Sequence, residues 1–356
     1  MFTDGRTKLN DLLSGIAASL DIPDHIYEDA TLKYEDVSVW LVAENSGLQN
    51  FSPEIYPQGS FRLGTVVRPI SEKDDYDIDL VCRLNLSKDQ TSKDKLKQLI
   101  ADRLKQRSDL AKILELRDRC LRLDYATEGS TPHFHLDVLP SIPNPELLPT
   151  GILVAYKESH EWQKSNPRAY FEWFVGRMKI VFEERKAFIA KSLEENIEDV
   201  PDWQVKTPLQ MVIQILKRHR DVFFQNDVEN KPVSIILTTL AAHAYNNQPD
   251  VYETLINIIR DLPNKIEKRN SKWWIANPVD PDENFADKWN EYPERRAAFE
   301  RWFKKIQNDF SKMDRLQSVN EVAALLVPAL GQQLVTKAIA HKLSTANGCQ
   351  GAKLSR

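Results

Sequence analysis

Apolar residues recur along this chain with two different periods, and the switches between them divide it. From about Lys8 to Leu48 the spacing is helical, with Leu9, Leu12, Leu13, Ile16 and Leu20 forming a first stripe and Asp21, Pro23 and Asp24 interrupting it. Alternation then takes over. Strands are predicted near residues 76–84, 119–126 and 133–139, with a charged, amphipathic helical region from Lys93 to Leu114 between the first two. The run Pro140-Ser141-Ile142-Pro143-Asn144-Pro145, with Pro149 and Gly151 after it, is expected to end the last strand and take the chain out of the sheet. From about Asn166 to Ala340 the period is helical again, over Tyr170–Leu193, Leu209–Phe224, Val233–Tyr245, Val251–Ile259, Asp282–Met313 and Val319–Leu330. The pattern predicts an α+β fold: N-terminal helices and a mixed sheet with helices in residues 1–165, a helical domain over 166–342, and a mobile tail over 343–356.

The chemistry sits in the alternating part. Tyr76-Asp77-Ile78-Asp79-Leu80 puts two carboxylates on one side of a strand and Ile78 and Leu80 on the other. Paired carboxylates suit Mg²⁺, a hard ion that keeps its remaining positions for water and phosphate oxygens. Upstream, Pro57-Gln58-Gly59-Ser60 reads as a turn into a short helix beginning near Phe61, with Ser60 as its N-cap and Gly59 letting the backbone approach a ligand. Exposed amides at such a turn favour an anion. In His133-Phe134-His135-Leu136-Asp137-Val138, a further strand, Leu136 and Val138 share one face and His135 and Asp137 the other. Taken singly, these features are an ordinary helix cap and two solvated strand faces. Together they imply metal-assisted nucleotidyl transfer, with Asp137 completing a carboxylate triad. His133 and His135 read as structural, because such a site uses oxygen ligands.

The GS cradle, the DxD strand and the later aspartate, in this order, resemble the DNA polymerase β-like nucleotidyltransferase superfamily. The segments PQGSFRLGTVVRP, DYDIDLVC, HLDVLP, TPLQMVIQILKRHRD, KPVSIILTTLAA and NPVDPDENFADKW narrow the resemblance to the bacterial cGAS/DncV-like nucleotidyltransferases, or CD-NTases, from about Gln58 to Trp289. These are the signal synthases of CBASS antiphage systems. The resemblance implies a polymerase β-like core followed by a helical domain, bilobed with a central cleft. It also implies template-independent joining of nucleoside triphosphates into a cyclic di- or trinucleotide. Asp77, Asp79 and Asp137 would be the catalytic ligands of two Mg²⁺ ions, with Mn²⁺ as a substitute, and Gln58, Gly59 and Ser60 the nucleotide cradle. Lys217, where an apolar stripe ends in Lys217-Arg218-His219-Arg220, matches the family's triphosphate-contacting lysine, and Ser234 its triphosphate-binding serine. An exposed basic helix face and a helix cap are the ordinary readings of those two. The implied partners are nucleoside triphosphates, CBASS accessory proteins and a downstream effector that binds the product. Two other readings stay open: transfer to another acceptor, such as an RNA end, a protein or a small molecule, and a nucleotide-sensing module without turnover.

Composition narrows the field further. The 356 residues, 42% hydrophobic and 28% charged, suffice for two domains with their own cores. A formal net charge of −4 offers no global attraction for nucleic acid, and the basic residues of Lys93–Leu114 are interleaved with Asp94, Asp102 and Asp109 as on a solvated helix face. No stable nucleic-acid or membrane partner is expected. The N-terminus lacks the basic start and apolar core of a signal peptide, which leads to a cytoplasmic expectation. Cys82, Cys120 and Cys349 have no metal-ligand spacing and read as reduced thiols. Trp273, Trp274 and Trp289 are expected to pack in a core rather than to stack on bases.

Overall fold

The computed structural model describes residues 2–70, 75–125, 134–156, 161–193, 196–197, 202–313 and 318–340. His133, Cys349 and the expected tail 343–356 lie outside them. Two compact units share the chain, Ile22–Trp173 on the one hand and Met1–Asp21 with Phe174–Arg356 on the other. The first helix, α1 (Phe2–Leu20), which the sequence grouped with the sheet, clusters with the helical unit.

The sheet unit opens with α2 (Asp24–Val42), and β1 (Glu54–Gln58) then runs straight into the short α3 (Gly59–Arg62). Next come β2 (Tyr76–Arg83), α4 (Lys93–Lys105), α5 (Ser108–Ile113), β3 (Leu114–Leu116) and β4 (Leu121–Asp124). β5 (Phe134–Pro143), β6 (Ile152–Val154) and β7 (Gln163–Ser165) precede α6 (Pro167–Leu193), inside which the unit ends. The strand order is β1-β2-β5-β4-β3, with β6 and then β7 continuing from β5. Among the described strands only β2 and β5 run parallel, and the segment from α4 to β4 lies in the crossover that a parallel pair requires.

Alternation decides which way this sheet faces. Tyr76, Ile78, Leu80 and Cys82 of β2 are buried with Phe134, Leu136 and Val138 of β5. Ile26, Ala30, Val37 and Leu41 of α2 and Leu96, Ile100, Ala101 and Leu104 of α4 belong to the same core. Burying one such aliphatic side chain contributes about 1.5–3 kcal/mol. A slip of one residue would exchange that face for Asp77 and Asp79, so the register is strongly specified. The opposite face is covered only in part, by Val81, Leu139, Ile152 and Val154 with Tyr56 packed against them.

Two expectations need correction here. β5 does not end at Pro140 but continues to Pro143. A proline gives up only its N–H, and the Pro140 carbonyl still accepts from the Ala155 amide at 3.1 Å, so the edge survives. The helix expected over 282–313 is also absent in that form. In its place β11 (Asp280–Asn284) pairs with β10 (Ala276–Asn277), and α10 (Asp287–Glu291) and α11 (Pro293–Phe310) follow. Pro293 occupies the first turn of α11, where its missing N–H has no partner to lose.

The helical unit is centred on α7 (Pro208–Phe223), which α1, α8 (Ser234–Ala244), α9 (Val251–Asp261) and α12 (Val319–Leu330) all touch. A capping box starts α7: Thr207 accepts from the Gln210 amide, and the Thr207 amide donates to Gln210 Oε1 at 2.9 Å. After α9 a hairpin of β8 (Glu267–Arg269) and β9 (Lys272–Trp274) leads to β10. Asn284 ties this region together, accepting from the Ile275 and Ala286 amides, each at 2.9 Å, and donating to the Trp273 carbonyl at 2.8 Å. Trp289 is in the core, whereas Trp273 and Trp274 are half-buried, with the Arg296 guanidinium 4.2 Å from the Trp273 ring and that of Arg269 4.9 Å from the Trp274 ring.

Candidate active site

Strand register lines up the predicted residues. Gln58 of β1 lies opposite Asp79 of β2, Asp79 opposite Asp137 of β5, and Asp137 opposite Arg122 of β4. One row thus crosses four strands, and Asp77 stands opposite His135 two residues along the same strands. Neighbouring strands are about 4.8 Å apart, so the carboxylates on this face are held close whatever their own preference.

Each aspartate meets that crowding differently. Asp79 is pushed up to about 7, first by burial and then by the charges of Asp77 and Asp137. Asp77 contacts His135 Nε2, while Asp75 lies 3.6 Å from the other ring nitrogen. Burial works against a charged His135 ring, but the hydrogen bond and charge of Asp77 outweigh it and raise its pKa. His135, expected to be structural, thus touches a carboxylate of the site. Asp137 accepts from Arg122 Nε at one oxygen and from its terminal nitrogen at the other, both at 2.8 Å. Cys120 also reaches Asp137, whose charge, together with burial as the larger cause, lifts the thiol to about 12. No group of three His, Cys, Asp or Glu side chains among the described residues closes on one point.

The cradle differs in one detail from its sequence reading. Gln58 occupies the N-cap position of α3 and makes no side-chain cap bond, so Gly59 and Ser60 form the first helical turn and Ser60 is not the cap. Gly59 turns the chain off β1 with φ +67°, in the left-handed region that favours glycine. A Cβ at this position would overlap the Asp79 carboxylate, with Cγ only 3.2 Å away. The Ser60 carbonyl accepts from the Thr65 amide at 2.9 Å, and Phe61 stacks on Tyr27 with ring centroids 4.8 Å apart, which anchors the turn to α2.

Lys217 and Ser234 lie in the helical unit. Lys217, only 4% exposed, is not on an open basic face; burial, and then Arg220, push it down to about 7, with Asp221 opposing. Ser234 is the first residue of α8, but Val233 is the N-cap. The Ser234 hydroxyl instead accepts from Arg220 at 3.0 Å, and Arg220 also donates to the Pro232 carbonyl at 3.1 Å and to Asp221 at 2.7 Å. The sequence reading missed Arg122 and Arg220. The spacing of Arg220 three residues after Lys217, one helical turn, was the available signal for the second.

Comparisons with known proteins bear on the family and on the class of activity. A family model described as "Cyclic GMP-AMP synthase DncV-like, nucleotidyltransferase domain" matches residues 53–140, which span β1 to most of β5. A c-di-GMP synthase of Roseivirga ehrenbergii is 30% identical over 358 residues, taking in 98% of this chain and 91% of that one. The chain belongs to the CD-NTases. It is a nucleotidyltransferase, and cyclic-oligonucleotide synthesis is its class of activity. Solved CD-NTases share the fold at lower identity. The CdnG of Bradyrhizobium diazoefficiens, in complex with GTP, superposes with a TM-score of 0.73 at 22% identity, covering 92% of this chain and 97% of that one. The CdnC:HORMA-deltaN complex of E. coli MS115-1 gives 0.65 at 14% identity, covering 90% and 96%.

Proposed function

We propose that this CD-NTase joins two molecules of GTP into c-di-GMP on the carboxylate face of its sheet. The observation that carries the proposal is the row formed by Gln58, Asp79 and Asp137, with Asp77 beside it and Gly59 turned tightly over Asp79. Guanine as the base is supported by the c-di-GMP synthase, which matches over nearly the whole chain. Asp77, Asp79 and Asp137 are oxygen donors on adjacent parallel strands, a set that fits a hard divalent cation whose remaining positions go to phosphate oxygens and water. Mg²⁺ held there, or Mn²⁺ in its place, supplies charge neutralisation at the α-phosphate and a lowered pKa for the attacking ribose hydroxyl.

The remaining work belongs to the chain. Gly59 and Ser60 take the phosphates through backbone and hydroxyl donors, with Gln58 fixing the end of the strand beside them. Lys217 neutralises triphosphate charge. Ser234, whose oxygen accepts from Arg220, keeps its own hydroxyl proton to donate to a phosphate oxygen. The CdnC:HORMA-deltaN complex supports an accessory protein for this chain too, and membership of the family supports a role in antiphage defence. No helix among the described residues is long and apolar enough to cross a membrane, which is compatible with a cytoplasmic enzyme.

The deciding experiment incubates the purified protein with GTP and Mg²⁺ and resolves phosphatase-resistant products by mass. A product with the mass of c-di-GMP is expected, and none from Asp79→Asn. Linear products alone, or nucleotide attached to a different acceptor, would overturn the proposal.

A further inference from the structure

β4 brings one charged side chain to the row of carboxylates, and register alone places it there: Arg122 opposite Asp137. Both ends of the guanidinium edge are engaged, Nε with Oδ1 and a terminal nitrogen with Oδ2, each at 2.8 Å. The pair is not a solvent-screened surface bridge of the kind worth about 0–1 kcal/mol, since the side chains are only 25% and 16% exposed. Two parallel N–H···O bonds fix the plane of a carboxylate as well as its position. Each oxygen of Asp137 has then committed one lone pair to β4. Asp77, by contrast, contacts Nε2 of His135.

We propose that Arg122 is a positioning residue for nucleotidyl transfer, which locks the carboxylate plane of Asp137, one of the three aspartates that would hold a divalent cation. The inference rests on the metal reading of the three aspartates given above. It carries a distinctive consequence. The guanidinium is a positive charge beside a cation site, so it opposes metal binding even as it fixes the geometry that turnover needs. Removing it should therefore move affinity and rate in opposite directions. A residue that merely fastened β4 to β5 would move them together, because a loosened site binds less metal and turns over less.

The test measures Mn²⁺ binding to the nucleotide-free protein by electron paramagnetic resonance, thermal melting in EDTA, and the kcat and KM for GTP. Arg122→Gln should bind Mn²⁺ about tenfold more tightly through the lost repulsion. Its kcat should fall about 10- to 100-fold, as for other residues that orient metal ligands, with KM for GTP within about twofold. Arg122→Lys restores the charge but not the fork, so Mn²⁺ affinity should return to that of the parent while turnover stays low. It also carries the test alone if the glutamine variant fails to fold. Affinity and turnover falling together, or a glutamine variant with full turnover, would overturn the role of Arg122. Asp79→Asn serves as the reference: if that variant binds Mn²⁺ like the parent, the metal assignment itself fails and takes the inference with it, an outcome distinct from either of the others.

Discussion

At the scale of single residues, the site is set by what its side chains exclude. Gly59 combines a left-handed backbone with the near approach of Asp79, so no other residue type fits both. Gly59→Ala should add roughly 1–2 kcal/mol of backbone strain and push Asp79 out of line. A displacement of about 1 Å at a reacting centre lowers rates on the order of a hundredfold, so cyclic-oligonucleotide formation should drop by that much while the melting temperature shifts by only a few degrees. Full turnover in the alanine variant would show that the close approach is dispensable. Lys217 gives a pH signature. Its folded value of about 7 lies below the ordinary 10.5, so the unfolded state binds more protons between those limits and stability rises with pH across that window. Below pH 7 both states are protonated and the full penalty of the buried charge remains. Lys217→Met should thus be more stable than the parent at pH 7, with the gap narrowing towards pH 10. Binding of GTP at pH 8 should in turn draw a proton onto Lys217, measured by calorimetry in buffers of different ionisation heat. Binding without proton uptake would remove Lys217 from the triphosphate contacts.

Among the elements, those that alternate or repeat against a single buried face are the ones the sequence disclosed. β2 and β5 were legible because each buries one side of its residues in the same core, and the three aspartates were legible as the residues left over. β1 was not, since Glu54 to Gln58 are all half-buried and Pro57 weakens any strand reading. The hairpin of β10 and β11 escaped for a different reason: side-chain hydrogen bonds build it, and periodicity does not register those. Asn284→Ala tests that account. The substitution removes partners from the Ile275 and Ala286 amides and from the Trp273 carbonyl, and unmet polar groups in such a setting cost about 1–3 kcal/mol each. A urea midpoint lowered by a few kcal/mol in stability is expected, and an unchanged midpoint would deny Asn284 its organising role. Arg122 was illegible for a related reason. Its importance depends on which residue the neighbouring strand presents to it, and no local window contains that information.

At the scale of the whole molecule, the distribution of charge limits what the enzyme can hold. Lysine and arginine number 48 against 52 acidic residues, and many of the cations are committed to near neighbours. Arg107 is bound by Asp36 and Asp109, Arg83 and Arg168 share Glu54, Lys186 meets Asp202, and Arg122 meets Asp137. Such pairs are neutralised where they stand and do not pool into a track along which a polyanion could lie. Affinity for duplex nucleic acid falls with salt by a log–log slope of about −0.9 per phosphate neutralised, so gripping six phosphates would give a slope near −5. A single triphosphate offers far fewer phosphates than a polymer, and its binding exchanges correspondingly fewer ions. Turnover of GTP at subsaturating concentration should therefore show a slope of about −2 or shallower, and added DNA or RNA should leave the rate unchanged. A strict dependence on nucleic acid, or a steep slope accompanied by a ladder of lengthening products, would mean that a polymer rather than a second nucleotide is the acceptor.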